Sequence, residues 1–200
     1  MKFPLAGLGL IAFTAVANAQ VPDPNVLERE LQKSGVYMTA TAKSQFRQLV
    51  AADFALGAEK AGFTPDQSSK FTNSIAIGNI RVVSGGVAGF YVADDGRATG
   101  PTSIPGNATP LVTYLLSFAS PEKVGVYLQK FSTIKIEVQP APPRDYKIVI
   151  NGEACQATEK SEYKVMPGES SVNVSRPAMP ACEWKGPIAA GQTQVVPCKL

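Results

Sequence analysis

The spacing of apolar residues changes along this chain, and each change marks an element. Pro24-Asn25 opens a short predicted helix, Val26 to Lys33, which Ser34-Gly35 ends. Val36 to Thr41 alternates as a short strand would. From Ser44 to Lys60, Phe46, Leu49, Val50, Phe54 and Leu56 recur at three- and four-residue steps with alanine between them, which predicts a helix. Gly62 stops it. Thr64-Pro65-Asp66-Gln67 starts the next helix, with Thr64 as cap, Pro65 first in and Gln67 at the capping-box position.

Alternation then replaces helical spacing. Ile75 to Val83 and Val87 to Ala93 read as strands, joined by Ser84-Gly85-Gly86, which suits a turn needing positive φ. Asp94-Asp95-Gly96 is a second turn. Residues 100–110 hold three prolines and two glycines and read as a loop. Leu111 to Phe118 is apolar and ambiguous by period. Ser120-Pro121-Glu122-Lys123 opens a helix to about Phe131, with a cap, a proline at its start and an acidic first turn.

From Ser132 onward the pattern is all β. Ile134, Ile136 and Val138 alternate with Lys135 and Glu137. Tyr146, Ile148 and Ile150 alternate after the proline-rich "QPAPPRD". Asn151-Gly152 is a turn, Tyr163 and Val165 a short strand, Pro167-Gly168 a turn, and Val172 and Val174 alternate again. Glu183 to Ile188 and Thr193 to Leu200 are expected to close a hairpin around Ala190-Gly191. Short strands at about ten-residue spacing are the pattern of a small sandwich. The expected fold class is α+β, with a boundary between Phe131 and Ile134.

The N-terminus adds a compartment. Lys2 precedes an apolar stretch, Leu5 to Val16, too short to span a bilayer comfortably. Ala17-Asn18-Ala19 is a small-x-small site. Residues 1–19 therefore read as a secretory signal peptide, cut between Ala19 and Gln20. The expected location is periplasmic or secreted, with a mature chain from residue 20 to residue 200 and no membrane span within it. Removing Lys2 from the 19 basic residues leaves 18 against 16 acidic ones, a net charge of +2. These charges are scattered, which gives no footprint for nucleic acid.

The order of turns in the last third carries a resemblance. "IKIEVQPAP", "YKIVINGE", "EYKV", "MPGESSVNVSRP" and "IAAGQTQVVPCKL" follow one another between Ile134 and Leu200. This succession resembles the PEGA-type domain of bacterial envelope and surface proteins. That family runs strand, proline break, strand to a D/N-G turn, short strand, P-G turn, valine-rich strand and closing hairpin. The chain departs from it in two places. Cys155-Gln156-Ala157-Thr158 follows the NG turn, and "AMPACEW" stands where a glycine-aromatic pair is expected. The resemblance implies a binding or spacing module and brings no catalytic residue. Residues 20–131 are expected to form a mixed α/β domain of unidentified family, and residues 132–200 a PEGA-like β-sandwich.

Candidate chemistry is sparse. The chain has no histidine, the commonest general base near neutral pH. Ser120 to Lys123 and Ser161 to Lys164 both fit S-x-x-K, in which a lysine on the same helical face takes the serine proton. Ser161 and Lys164 fall in strand pattern, however, and a helix cap explains Ser120. No S-D-N follows. Asp94-Asp95-Gly96-Arg97 has too few acidic positions for a calcium loop. Trp184 and Tyr163 read as sandwich core or edge rather than a sugar platform. No catalytic, metal or cofactor site is expected.

Cys155, Cys182 and Cys198 suit one disulfide and one spare thiol in an exported chain. Alternating strand direction brings all three to one pole, so topology leaves the choice open. A Cys155–Cys182 bridge closes the longer loop and restricts the unfolded chain more. It is the expected pairing, with Cys198 spare or the alternative partner of Cys182. The expected function is a non-enzymatic envelope protein that binds an envelope component or a protein partner. The alternatives are a small secreted hydrolase with its site around Asp94 to Pro110, or an accessory subunit of a secretion or surface assembly pairing through Cys198 or a sheet edge.

Overall fold

The computed structural model describes residue 31 and residues 35–77, 80–83, 89–94, 97–98, 114–115, 117–118, 120–139 and 146–199, with backbone alone for 80–83, 89–94 and 97–98. The signal peptide with Ala19 and Gln20, the 84–86 turn and the loop to Pro110 lie outside the described residues, as does the first helix apart from Leu31.

Among the described residues, three helices and eleven strands with defined bounds form an α+β fold. The helices are α1 (Ala40–Ala58), α2 (Pro65–Ile77) and α3 (Pro121–Leu128). Early in the chain lie β1 (Tyr37–Met38), β2 (Ile80–Val83), β3 (Gly89–Asp94) and β4 (Arg97–Ala98). The last part supplies β5 (Ser132–Gln139), β6 (Lys147–Ile150), β7 (Glu153–Cys155) and β8 (Glu162–Val165). It ends with β9 (Gly168–Ser175), β10 (Cys182–Ile188) and β11 (Thr193–Lys199). β2, β3 and β4 make a small antiparallel sheet. The remaining strands form two four-stranded sheets, ordered β1-β8-β5-β11 and β10-β9-β6-β7.

Apolar spacing explains two separate cores. In the helical part, Phe46, Phe54, Phe63, Phe71, Phe118 and Phe131 are buried and meet edge-on or tilted, with centroids 5.4 to 6.4 Å apart in pairs such as Phe54–Phe63 and Phe46–Phe131. Such pairs contribute about 0.5–1.5 kcal/mol each beyond area burial. A Cβ on Gly57 would collide with the Tyr114 hydroxyl, which donates to the Phe54 carbonyl at 3.0 Å. In the sandwich, Ile134, Ile136, Tyr163, Val165 and Val196 of one sheet face Ile148, Ile150, Val172 and Val174 of the other. Their polar neighbours alternate outward.

Capping explains the helix starts. Thr64 Oγ1 accepts from the Gln67 amide at 3.3 Å, while Gln67 Oε1 accepts from the Thr64 amide at 3.0 Å, a reciprocal capping box. Thr39 has two roles. Its amide extends the β1–β8 ladder by donating to the Lys164 carbonyl at 3.1 Å, and its hydroxyl caps α1 by accepting from the Ala42 amide at 3.3 Å. The helix therefore starts at Ala40, four residues before the apolar periodicity suggests, because Thr39 is bound into the sheet.

Several expectations need correcting. Ile75 to Ile77 continue α2 rather than begin a strand. β7 was hidden because its three residues carry no alternation. It pairs with β6 through Ile150 and Glu153 around Asn151 (φ 52°) and Gly152 (φ 80°), the positive pair that an Asn-Gly hairpin turn needs. The expected closing hairpin does not form. β10 pairs antiparallel with β9, whereas β11 crosses to the other sheet and pairs parallel with β5.

Two of the ties between the helical part and the sandwich involve β1 and the start of α1. β1 lies parallel to β8 and extends the sandwich sheet. On the neighbouring edge, the Glu153 carboxylate accepts from the Ala40 and Thr41 amides and from the Thr41 hydroxyl. The first turn of α1 holds no acidic residue of its own. Glu153 supplies the negative charge that a helix N-terminus favours, from 113 residues along the chain. Glu153→Ala should lower the unfolding free energy by about 1–2 kcal/mol, with Glu153→Gln losing less. Urea denaturation checks this, and equal stability of both variants and the parent would remove the role assigned to Glu153.

Candidate functional site

The S-x-x-K serines serve the backbone. Ser120 Oγ accepts from the Lys123 amide at 3.3 Å as the cap of α3. The Lys123 ammonium turns away to Asp53 at 2.9 Å and lies over the rings of Phe118 and Tyr127 at 5.5 and 5.8 Å. Ser161 sits in a turn at φ 49°, its hydroxyl donating to the Thr158 carbonyl. Lys164 instead donates to Thr133 Oγ1 at 2.8 Å. Neither lysine is placed to take a serine proton.

Asp53, Tyr127 and Lys123 form a polar cluster in the helical part, where α1 meets α3. The Tyr127 hydroxyl donates to Asp53, and Lys123 pairs with the same carboxylate oxygen. The tyrosine bond, then the lysine, hold the Asp53 carboxyl below its ordinary range. Burial first, then the bond to Asp53, push the Tyr127 phenol well up. The cluster is a helix-to-helix tie. Asp53 binds protons less readily in the folded state, so its contribution is present above the unfolded carboxylate value of about 3.9. It is lost as pH falls through the lower folded value. The carboxylate is more than a third exposed, so the effect should stay under about 1 kcal/mol. Asp53→Asn should unfold at lower urea than the parent at pH 7, and the gap should close below about pH 4. A gap that persists to pH 2 would contradict the assignment.

The cysteines pair otherwise than expected. Cys182 and Cys198 form the disulfide, with Cα atoms 5.5 Å apart, and Cys155 is free. The reason lies in the sheet register. Cys155, Ile148, Val174 and Cys182 stand in one row across β7, β6, β9 and β10. Three strand spacings of about 4.8 Å separate the outer two by roughly 14 Å, beyond disulfide reach. β10 and β11 instead meet as edges of opposite sheets, so the bridge ties the two layers together. Cys198 is fully buried, which removes it as a point of covalent assembly. Burial and then the Glu153 charge push the Cys155 thiol up, leaving it a poor nucleophile.

The aromatic side chains are structural too. Tyr163 is buried, and its hydroxyl donates to the Gln156 carbonyl at 2.7 Å. Burial pushes its phenol up to about 12. Trp184 pairs with buried Val172 on the inner side of the second sheet and packs against the sandwich core. A Cβ on Gly186 would approach the indole to 3.1 Å, so the glycine leaves room for the ring. Asp94 and Arg97 pair in the β3–β4 hairpin, while the turn between them lies outside the described residues. Among the described residues no three His, Cys, Asp or Glu side chains come together to hold a metal ion.

Two grooves remain. A shallow one of about 480 Å³ lies on the second sheet, where Asn173 Nδ2 donates to Glu183 Oε1 at 3.0 Å beside Val149, Ser171 and Lys185. The other, of about 180 Å³, lies beside the first sheet and the turn that precedes β1. Lys164, Thr133 and Thr193 form one row across β8, β5 and β11. Lys160, Glu162, Gly35 and Tyr37 complete the lining. Burial lowers the Lys164 ammonium below its ordinary value. The sequence points to none of this, because strands far apart in the chain supply the residues.

No protein-family model matches the chain, and no curated protein matches it. Among the described residues no helix is long and apolar enough to cross a membrane.

The Cys182–Cys198 bridge closes a 16-residue separation, worth about 3 kcal/mol by loop entropy. In denaturant the unreduced protein should titrate one thiol, and Cys155→Ser should titrate none while keeping its stability within about 1 kcal/mol. Three thiols, or a Cys155-containing bridged peptide, would overturn the pairing.

Proposed function

We propose that this chain is a non-enzymatic, extracytoplasmic binding or structural module of the bacterial envelope, acting through its PEGA-like sandwich. The observation that carries the reading is the use of the sandwich's reactive-looking side chains. Ser161, Tyr163 and Glu153 bond backbone groups, Cys182 and Cys198 are joined, and the outer sheet faces carry shallow polar grooves. The disulfide supports an oxidising compartment, in keeping with the signal-peptide pattern of residues 1–19. The order of turns and strands from Ile134 to Ser175 supports the family resemblance, while β10 and β11 depart from its closing hairpin and β1 adds a fourth strand to one sheet. An envelope component or a protein is the partner such faces would take.

Export of the full chain should yield a product that begins at Gln20, outside the cytoplasm. The mature protein, immobilised and exposed to envelope extract, should retain a component that soluble mature protein displaces. A product starting at Met1 in the cytoplasm would overturn the reading. Turnover of an ester or glycoside abolished by one acidic substitution would do the same.

A further inference from the structure

We propose that the groove between the 35–37 turn and β8 binds a monoanionic, hydroxyl-bearing ligand of the sugar-acid class. Its lining combines three kinds of recognition. Lys160 and Lys164 bring two ammonium groups and Glu162 one carboxylate, leaving one net positive charge facing the space. Thr133 and Thr193 place two hydroxyls in register on adjacent strands, and Lys164 already bonds the first at 2.8 Å. Tyr37, 46% exposed, brings an aromatic side chain to the rim.

The charges select the ligand. Among the described residues neither Lys160 nor Lys164 forms an ion pair. Lys164 is half-buried, with a neutral hydroxyl as its bonded partner. Burial outweighs the attraction of nearby Glu162 at the Lys164 ammonium, and an incoming carboxylate adds a directly bonded counter-ion. A simple anion would leave Glu162 facing it unfavourably. A ligand that also carries hydroxyls gives Glu162 donors to accept from and gives the threonines donors and acceptors. The volume, about 180 Å³, is below the roughly 300–1,000 Å³ of drug-sized sites, which suits one ring rather than a longer ligand. A hexuronate residue, alone or at the end of an acidic saccharide, has this combination.

The inference rests on the binding-module reading and deepens it. The test is a heteronuclear NMR titration of the mature protein with D-glucuronate, D-glucose, acetate and triglutamate. Glucuronate should shift the amides of Thr133, Lys164 and Thr193 in a saturable way, with glucose and acetate each at least about tenfold weaker. Lys160→Gln, an exposed change that leaves the fold intact, should weaken glucuronate binding about tenfold. Lys164→Gln should do so with an unchanged fold by circular dichroism. Four outcomes would overturn the ligand assignment: no saturable shift, equal binding of glucose, equal binding of acetate, or preference for triglutamate. None of these touches capture of a partner from envelope extract, so failure here is distinct from failure of the module reading.

Discussion

A β-sheet edge presents a row of unpaired N–H and C=O groups, and a two-layer sandwich has four such edges. Most of what is distinctive in this chain deals with them. β1 covers the bare side of β8. The start of α1 is held against β7 by a carboxylate that serves as its cap. At the opposite side, β10 and β11 are edges of different sheets, and a disulfide holds them together while Pro187 and Pro197 remove one donor from each. The sandwich is thus fastened on one side by non-covalent contacts from the helical part and on the other by a covalent bond.

This arrangement explains where polar chemistry sits. Side chains that resemble catalytic groups in one dimension are absorbed by caps, turns and ties between layers. The outer faces, by contrast, are not needed for fastening. Alternation leaves them polar, and strands distant in sequence bring lysine, glutamate and threonine side by side.

Much of the fold was legible because its signals are local. The capping box at Thr64, the cap at Ser120, the Asn-Gly turn and the alternation at Ile134 to Val138 each act within a few residues, and each appears where the sequence places it. The failures have a common physical origin. Adjacency of Glu183–Ile188 and Thr193–Leu200 suggested a hairpin, but the strands there pair with β9 and β5, which bury their apolar rows in separate layers. The disulfide followed that choice: of the three cysteines assigned to one pole by strand direction, Cys155 and Cys182 stand at opposite edges of one sheet and Cys198 on the facing edge of the other. β7 has no periodicity to read, and the start of α1 depends on a distant strand. The groove row of Lys164, Thr133 and Thr193 exists only after register is set, and no single-residue pattern announces it.

The pairing of Tyr37 with Tyr163 also bears on the order in which contacts form. β1 pairs with a strand far along the chain, and the carboxylate that caps α1 lies 113 residues away. Contacts of such large sequence separation form slowly, since loop-closure entropy must be met before they are rewarded. Neither tie can form until both of its distant partners are present. Assembly of the sandwich is therefore the step that also finishes the helical half.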